Sequence, residues 1–531
     1  MVLSSEQRVA WESSGAREGS FAWFAPAVLA LVYFLLHMLT ATRYGYFRDA
    51  MYYLACGEHL DWGYVDHPPL IALLAWITAH TLGTSLRAIL LWPALAGVAR
   101  ILLVAAFARE LGARRWGTAL AAVLAISPGV WWAIDHQFAM NALEPLFWTG
   151  AALVVLRIIK TQSVGLWLAF GAIVGLGMEN KYSIAVFGFS LLLGLLLTRQ
   201  RKLLFTPWLL AGGAVSVLIW LPNLLWNVQR HWPFFELMHN VRASGRDILL
   251  SPVEFVWQQI LLMNPLSFPF WLAGLLYYLF ARTARAYRAL GWAFLVTIAF
   301  FLLAHGKNYY STPTYTIVLA AGAVATETFL AGPRLAAHAR LLAALKPILF
   351  VWLFAGIAVF LPVVLPVLSV EAYLRYQAHL PFKVPASEHM HEGVPLPQIY
   401  SDEFGWPEMV ATVARVYNSL PAEERAKTAI YADNFGEAAA IDLFGPKYGL
   451  PKAICPHQSY YLWGPRDFTG EMVILVGSAR IEEAQPFFAS VEVAANLNHP
   501  YAESIETRPI LLARGLKVNF PTLWPKLKRW N

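Results

Sequence analysis

The chain has 531 residues, 58% of them hydrophobic and only 14% charged, with a mean hydropathy of +0.51; this excludes a soluble protein with a surface to solvate and reads as an integral membrane protein. A formal net charge of +7 would suit a nucleic-acid partner. The basic residues fall in short clusters between apolar runs, where membrane orientation accounts for them, and no nucleic-acid partner is expected.

Residues 1–20 are polar and mixed in charge, and the apolar run that follows lacks a small-residue cleavage site, so a retained first span is expected. Runs long enough to cross a hydrocarbon core of ~30 Å are 24–40, 86–108, 116–133, 143–155, 167–178, 184–197, 205–221, 260–280, 289–304, 312–326 and 347–370. They predict about eleven transmembrane helices. Segment 70–82 is apolar but short and follows Pro68-Pro69, which predicts a re-entrant or interfacial helix within an external loop, 43–85.

With the N-terminus in the cytoplasm, alternate loops carry Arg109, Arg114 and Arg115; Arg157 and Lys160; Arg199, Arg201 and Lys202; Arg282, Arg285 and Arg288; and Arg334, Arg340 and Lys346. That bias puts loop 43–85, the other intervening loops and everything after residue 370 outside the cytoplasm. Two units are expected: a transmembrane module, 1–370, and an extracytoplasmic α/β domain, 371–531. In the second, 429–432 and 472–477 read as buried strands, and 407–418 and 437–444 as helices. Cys56 and Cys455 fall on one side, so a bridge between them stays open, but two cysteines make neither a disulfide framework nor a metal cluster.

The external loop places Asp49, Glu58, Asp61 and Asp66 beside a membrane in a chain with few charges. Asp49 follows Arg48 just beyond the first span. It reads either as an interfacial Asp paired with Arg48 or as a general base able to take a proton from an attacking hydroxyl. In Asp66-His67-Pro68-Pro69, two prolines start a helix and hold the preceding polar side chains at a defined depth, although a plain N-cap by Asp66 would explain the residue equally. Lys181 and Lys307 are cations at external span ends that the orientation rule does not predict; they suit an anionic headgroup such as a phosphate, or else extend to the interface. Arg242 and Arg246 in the long external loop are weaker candidates for the same task. Glu144 opens a helix, where the dipole alone favours it. His231, His239 and His305 lack tight ligand spacing and read as structural, and no metal-ligating residue is assigned.

Taken together, Arg48-Asp49-Ala50-Met51-Tyr52-Tyr53, Asp66-His67-Pro68-Pro69-Leu70, Glu179-Asn180-Lys181-Tyr182 and Gly306-Lys307-Asn308-Tyr309-Tyr310 form a distinctive set, joined in the tail by the stretches 431–442 and 460–465. The sequence resembles the bacterial polytopic glycosyltransferases of the GT-C superfamily, in the group of family 39 protein O-mannosyltransferases and the transferases that add aminoarabinose to lipid A. Ala50 departs from that pattern, standing where the family usually has Glu; Glu144 stands where related chains more often have Asp.

The resemblance implies an α-helical polytopic GT-C fold in the cell inner membrane and an inverting transfer of a hexose or pentose. The donor would be a polyprenyl-phosphate-linked sugar and the acceptor a lipid, a glycan or a protein. It implies Asp49 and Asp66 as catalytic residues and Arg48, His67, Glu144, Lys181, Tyr182, Lys307 and Tyr309 as substrate-binding ones. No cofactor is implied with certainty, and a divalent metal stays open. The rival readings are a transporter or lipid flippase, against which the spans contain few ionisable residues near their midpoints, and a non-catalytic member that binds polyprenyl carriers.

Overall fold

A computed structural model describes residues 22–333, 338–386, 388–389, 395–468, 470–477, 480–502 and 508–531; Arg334 and the polar lead 1–20 lie outside them. Every run predicted to span is helical, because an apolar backbone segment without water must satisfy its polar groups within itself. The spans are less uniform than hydropathy implies. Among the described residues, five helices are long and apolar enough to cross a membrane: Leu86–Glu110, Met140–Thr161, Pro207–Gln229, Arg285–Leu303 and Arg340–Val364. Shorter apolar helices are Phe24–Thr40, Leu70–Thr81, Arg115–Ile126, Val164–Asn180 and Ile184–Leu196.

Two predicted spans are broken. The run 116–133 stops at Ile126 and restarts as Gly129–Ile134, since Pro128 has no amide to continue the first helix and takes extended backbone, ψ 123. The run 260–280 turns by 89° between Pro252–Leu262 and Pro265–Phe280. Pro265 has no amide to continue the first helix, and Asn264 takes φ 64. The amide of Asn264 donates to the Ser127 carbonyl and hydroxyl at 3.2 and 3.0 Å, so the two breaks lock together.

Two of the basic loops meet at one end of the bundle: Glu110 pairs with Arg157 and Lys160, both at 3.0 Å. At the other end, helix Arg48–Glu58 packs on helix Leu70–Thr81, and a Cβ at Gly57 would stand 2.9 Å from the Trp76 amide. The tail carries a four-stranded sheet of order β1-β2-β4-β3, from β1 (Thr428–Ala432), β2 (Met472–Val476), β3 (Phe488–Ala495) and β4 (Ile510–Leu516). The first two pair in parallel and the others antiparallel. Helices Trp406–Ser419 and Phe435–Phe444 match the expected helical stretches, the second fixed by a capping box between Asn434 and Glu437.

The change of composition near residue 370 is not a boundary of packing. One hydrophobic cluster joins Met51, Tyr52, Leu54, Ile71 and Phe138 to Trp406, Val413, Ala439, Ile441 and Ile474. Each large side chain buried there contributes about 1.5–3 kcal/mol, so the external helices and the tail are covered by one another. Cys56 and Cys455 are both buried and free.

Candidate active site

A cavity of about 390 Å³ opens where the external helices, the tail and the ends of several spans meet. Arg48, Asp49, Asp66, Lys181, Lys307 and Tyr309 all line it. One side of its wall is apolar, with Leu261 and Leu262 from the broken span, Phe360, Val363 and Val364 from the last long helix, and Leu237 and Val241 from helix Pro233–Ser244.

Asp49 lies in the first turn of its helix and keeps 34% of its side-chain surface open, onto this cavity. Its carboxyl is pushed above the usual range by burial, held back by Arg48 and Lys307 and raised further by Asp66 and Glu388. Arg48 stands 3.7 Å from Asp49 and 3.4 Å from Asp402, under the Phe435 ring at 5.5 Å. Asp66 accepts a hydrogen bond from the Tyr52 hydroxyl at 2.8 Å, and that hydroxyl accepts one from the Ser459 amide at 3.2 Å.

Lys181 donates to Asn141 at 2.7 Å and to Glu144 at 3.1 Å, and lies 4.4 Å above the Tyr310 ring. Ser183 donates to the other oxygen of Glu144. Lys307 donates to Glu388 at 2.7 Å and sits 3.4 Å from Asp247; Arg246 stands 3.4 Å from Asp247 and 3.8 Å from Glu388. Burial works against the Lys307 charge, but Tyr310, Glu388 and Asp247 outweigh it and hold that ammonium above its usual value.

Three predicted residues sit behind the wall. His67 is fully buried; its Nδ1 donates to the Pro68 carbonyl at 2.8 Å and its ring stacks on Tyr64. Glu144 reaches the cavity only through Lys181. Tyr182 donates to Asn223 and accepts from Asn227, and its ring meets Phe234 edge-on. Ala50, 2% exposed, faces the cluster shared with the tail, so Asp66, not position 50, brings the second carboxylate to Asp49. Glu388, Asp247, Tyr310, Phe435 and Gln458 line the cavity without having been singled out from the sequence. Phe435 and Tyr310 lay in stretches marked by the resemblance, and the others sit among polar residues where a charge or an amide is ordinary. His231, His239 and His305 join no ligand set: among the described residues, no three His, Cys, Asp or Glu side chains stand together as one.

The charged side chains of the cavity converge at one end of a helical bundle, beside a small mixed α/β unit. Residues 66–226 match the model of the dolichyl-phosphate-mannose-protein mannosyltransferase family. A lipid A galacturonosyltransferase, RgtD, of Rhizobium johnstonii is 28% identical over 258 residues, 45% of this chain and 51% of that one, so the match spans about half the length of the relative. Two structures of ArnT from Cupriavidus metallidurans superpose over 92% of this chain and 97% of theirs. The one bound to undecaprenyl phosphate gives a TM-score of 0.56 at 14% identity, the apo form 0.57 at 15%. The chain has the fold of these ArnT structures over nearly its whole length and is similar, over part of it, to a lipid A galacturonosyltransferase.

Proposed function

We propose that this protein is an inner-membrane glycosyltransferase that moves a sugar from a polyprenyl-phosphate carrier to an acceptor at the extracytoplasmic face, with inversion and with Asp49 as general base. The observation that carries the reading is the cavity itself, which sets Asp49, Asp66, Lys181 and Lys307, among other charged side chains, against a wall of Leu, Val and Phe. Such a wall suits the first isoprene units of a carrier, the lysines suit its phosphate, and a base with a raised pKa is matched to removing a proton near neutral pH. Lys181 and Lys307 would stabilise the charge that develops on the leaving phosphate. About eleven spans, with the basic loops in the cytoplasm and 371–531 outside as a roof over the site, complete the arrangement. The galacturonosyltransferase relative and the carrier-bound ArnT structure support a lipid acceptor and a polyprenyl donor.

The full chain, purified and incubated with a panel of radiolabelled undecaprenyl-phosphate sugars and a lipid A acceptor, should transfer label from at least one donor. Asp49→Asn should abolish transfer while the protein stays monodisperse; full activity in that variant would remove the base assignment. A second reading, a member that binds carriers without turnover, is favoured by the absence of a carboxylate at Ala50. Binding of undecaprenyl phosphate with no transfer from any donor would select it.

A further inference from the structure

The guanidinium of Arg48 is placed between two carboxylates of unlike surroundings. Asp49 opens onto the cavity, whereas Asp402 belongs to the tail and has no exposed side-chain surface. The nearer contact is with the buried one, 3.4 against 3.7 Å. The tail grips Arg48 in three further ways. The Arg48 amide donates to the Asp402 carbonyl at 3.1 Å. The Phe435 ring lies over the guanidinium. Gly436 leaves room for the stem, since a Cβ there would stand 2.5 Å from the Arg48 Cγ. Asp402 is itself pinned, its carbonyl accepting from the Trp406 indole at 2.9 Å and its carboxylate from Gln398 at 3.4 Å. A buried carboxylate needs its counter-charge far more than a half-open one does, so Arg48 is held to Asp402 and spares Asp49.

We propose that Asp402 is a positioning residue for Asp49: by claiming the Arg48 guanidinium it keeps that cation from pairing fully with the base, so that the tail governs how strongly Asp49 binds a proton. The functional meaning rests on Asp49 being the base, but the geometry stands without it. The other groups facing Asp49 are Tyr53 on its own helix, Asp66 and His67 on the external loop, Lys307 and Tyr309 on the segment before helix Tyr315–Leu330, and Glu388 on the segment after the last long helix. Glu403 faces Asp402, and His457 faces Arg48. The two effects of losing the Asp402 charge have one sign. A negative charge near Asp49 disappears, and Arg48 is released towards it; both lower its proton affinity.

The test titrates Asp49 directly in the detergent-solubilised full chain, by carbodiimide-driven coupling of its protonated carboxyl to an amine, read by peptide mass spectrometry across pH. In Asp402→Asn the Asp49 midpoint should fall by about half a pH unit or more. In Arg48→Gln it should rise, and adding Asp402→Asn to Arg48→Gln should shift it by much less than Asp402→Asn does alone. An unchanged or raised midpoint in Asp402→Asn, or an equal shift in both backgrounds, overturns the proposal. If Asp402→Asn does not fold, Arg48→Gln decides, because a midpoint that fails to rise removes the link through the guanidinium. Absence of sugar transfer in the wild type would overturn the glycosyltransferase reading and leave this titration as it is.

Discussion

The Lys307 ammonium donates to Glu388 at 2.7 Å, and the two side chains expose only 13% and 8% of their surface. The Lys307 cation, proposed above to meet a phosphate, is thus already neutralised by the protein. Burial alone would raise Glu388, but Lys307 and Arg246 overcome it and hold its carboxyl at about 2. The pair therefore persists at every physiological pH, and an entering phosphate must displace a carboxylate. Glu388→Gln is expected to tighten binding of undecaprenyl phosphate severalfold, measured by intrinsic fluorescence titration. A depressed folded pKa contributes stability that is present above the unfolded value of 4.5 and lost as pH falls through about 2. The melting-temperature deficit of Glu388→Gln should accordingly be constant from pH 6 to 8 and vanish only in strong acid.

Lys181 has a structural duty besides any role towards a ligand. Glu144 is 4% exposed and faces Lys181 and Ser183. Lys181→Met would leave that carboxylate buried without its cation, a loss of about 3–5 kcal/mol by analogy with other broken buried pairs. Adding Glu144→Gln should recover most of the thermal stability without recovering carrier binding. Recovery of both would show that Lys181 acts only as a structural partner.

Ala50→Glu separates sequence analogy from geometry. Residue 50 faces the cluster shared with the tail, so the new carboxylate would enter an apolar interface with no partner, at a cost of several kcal/mol. The variant should melt at markedly lower temperature and gain no activity in a transfer assay. A stable, more active Ala50→Glu would mean that position 50 faces the cavity.

Glu437 gives the tail its own pH dependence. Burial first, and Asp433 second, push its carboxyl up to about 8, against the amides of Asn434 and Asp433 that hydrogen-bond it. A raised folded pKa contributes stability that is fully present below the unfolded value of 4.5 and lost as pH rises through about 8. The wild type should lose thermal stability between pH 5 and 9, and Glu437→Gln should flatten that part of the profile.

The polar residues at the ends of apolar runs were legible because a membrane makes charge expensive, so Asp49, Lys181 and Lys307 stood out against their surroundings. The same logic fails in the tail and in the long external loop. There Asp402, Asp247 and Glu388 are ordinary surface-type residues until the chain folds them against Arg48 and Lys307. Helical content was legible throughout, whereas the turn at Asn264 was hidden inside a run judged by hydropathy, although Asn-Pro marks a turn. Two strands were missed for a related reason. The sequence of β3 alternates weakly and stays mostly exposed, and the buried apolar start of β4, Ile510 to Ala513, is short and runs into Arg514-Gly515, which weakens its signal as a strand.

The shared cluster also sets an order of events during biogenesis. Helix Arg48–Glu58 emerges early from the ribosome, yet the Tyr52 hydroxyl meets the Ser459 amide across 407 positions of chain. Its burial must await nearly the whole of translation and the closure of a very long loop. Asp49 is thus made first and seated last, and a nascent or truncated chain holds it without the tail groups packed around its helix.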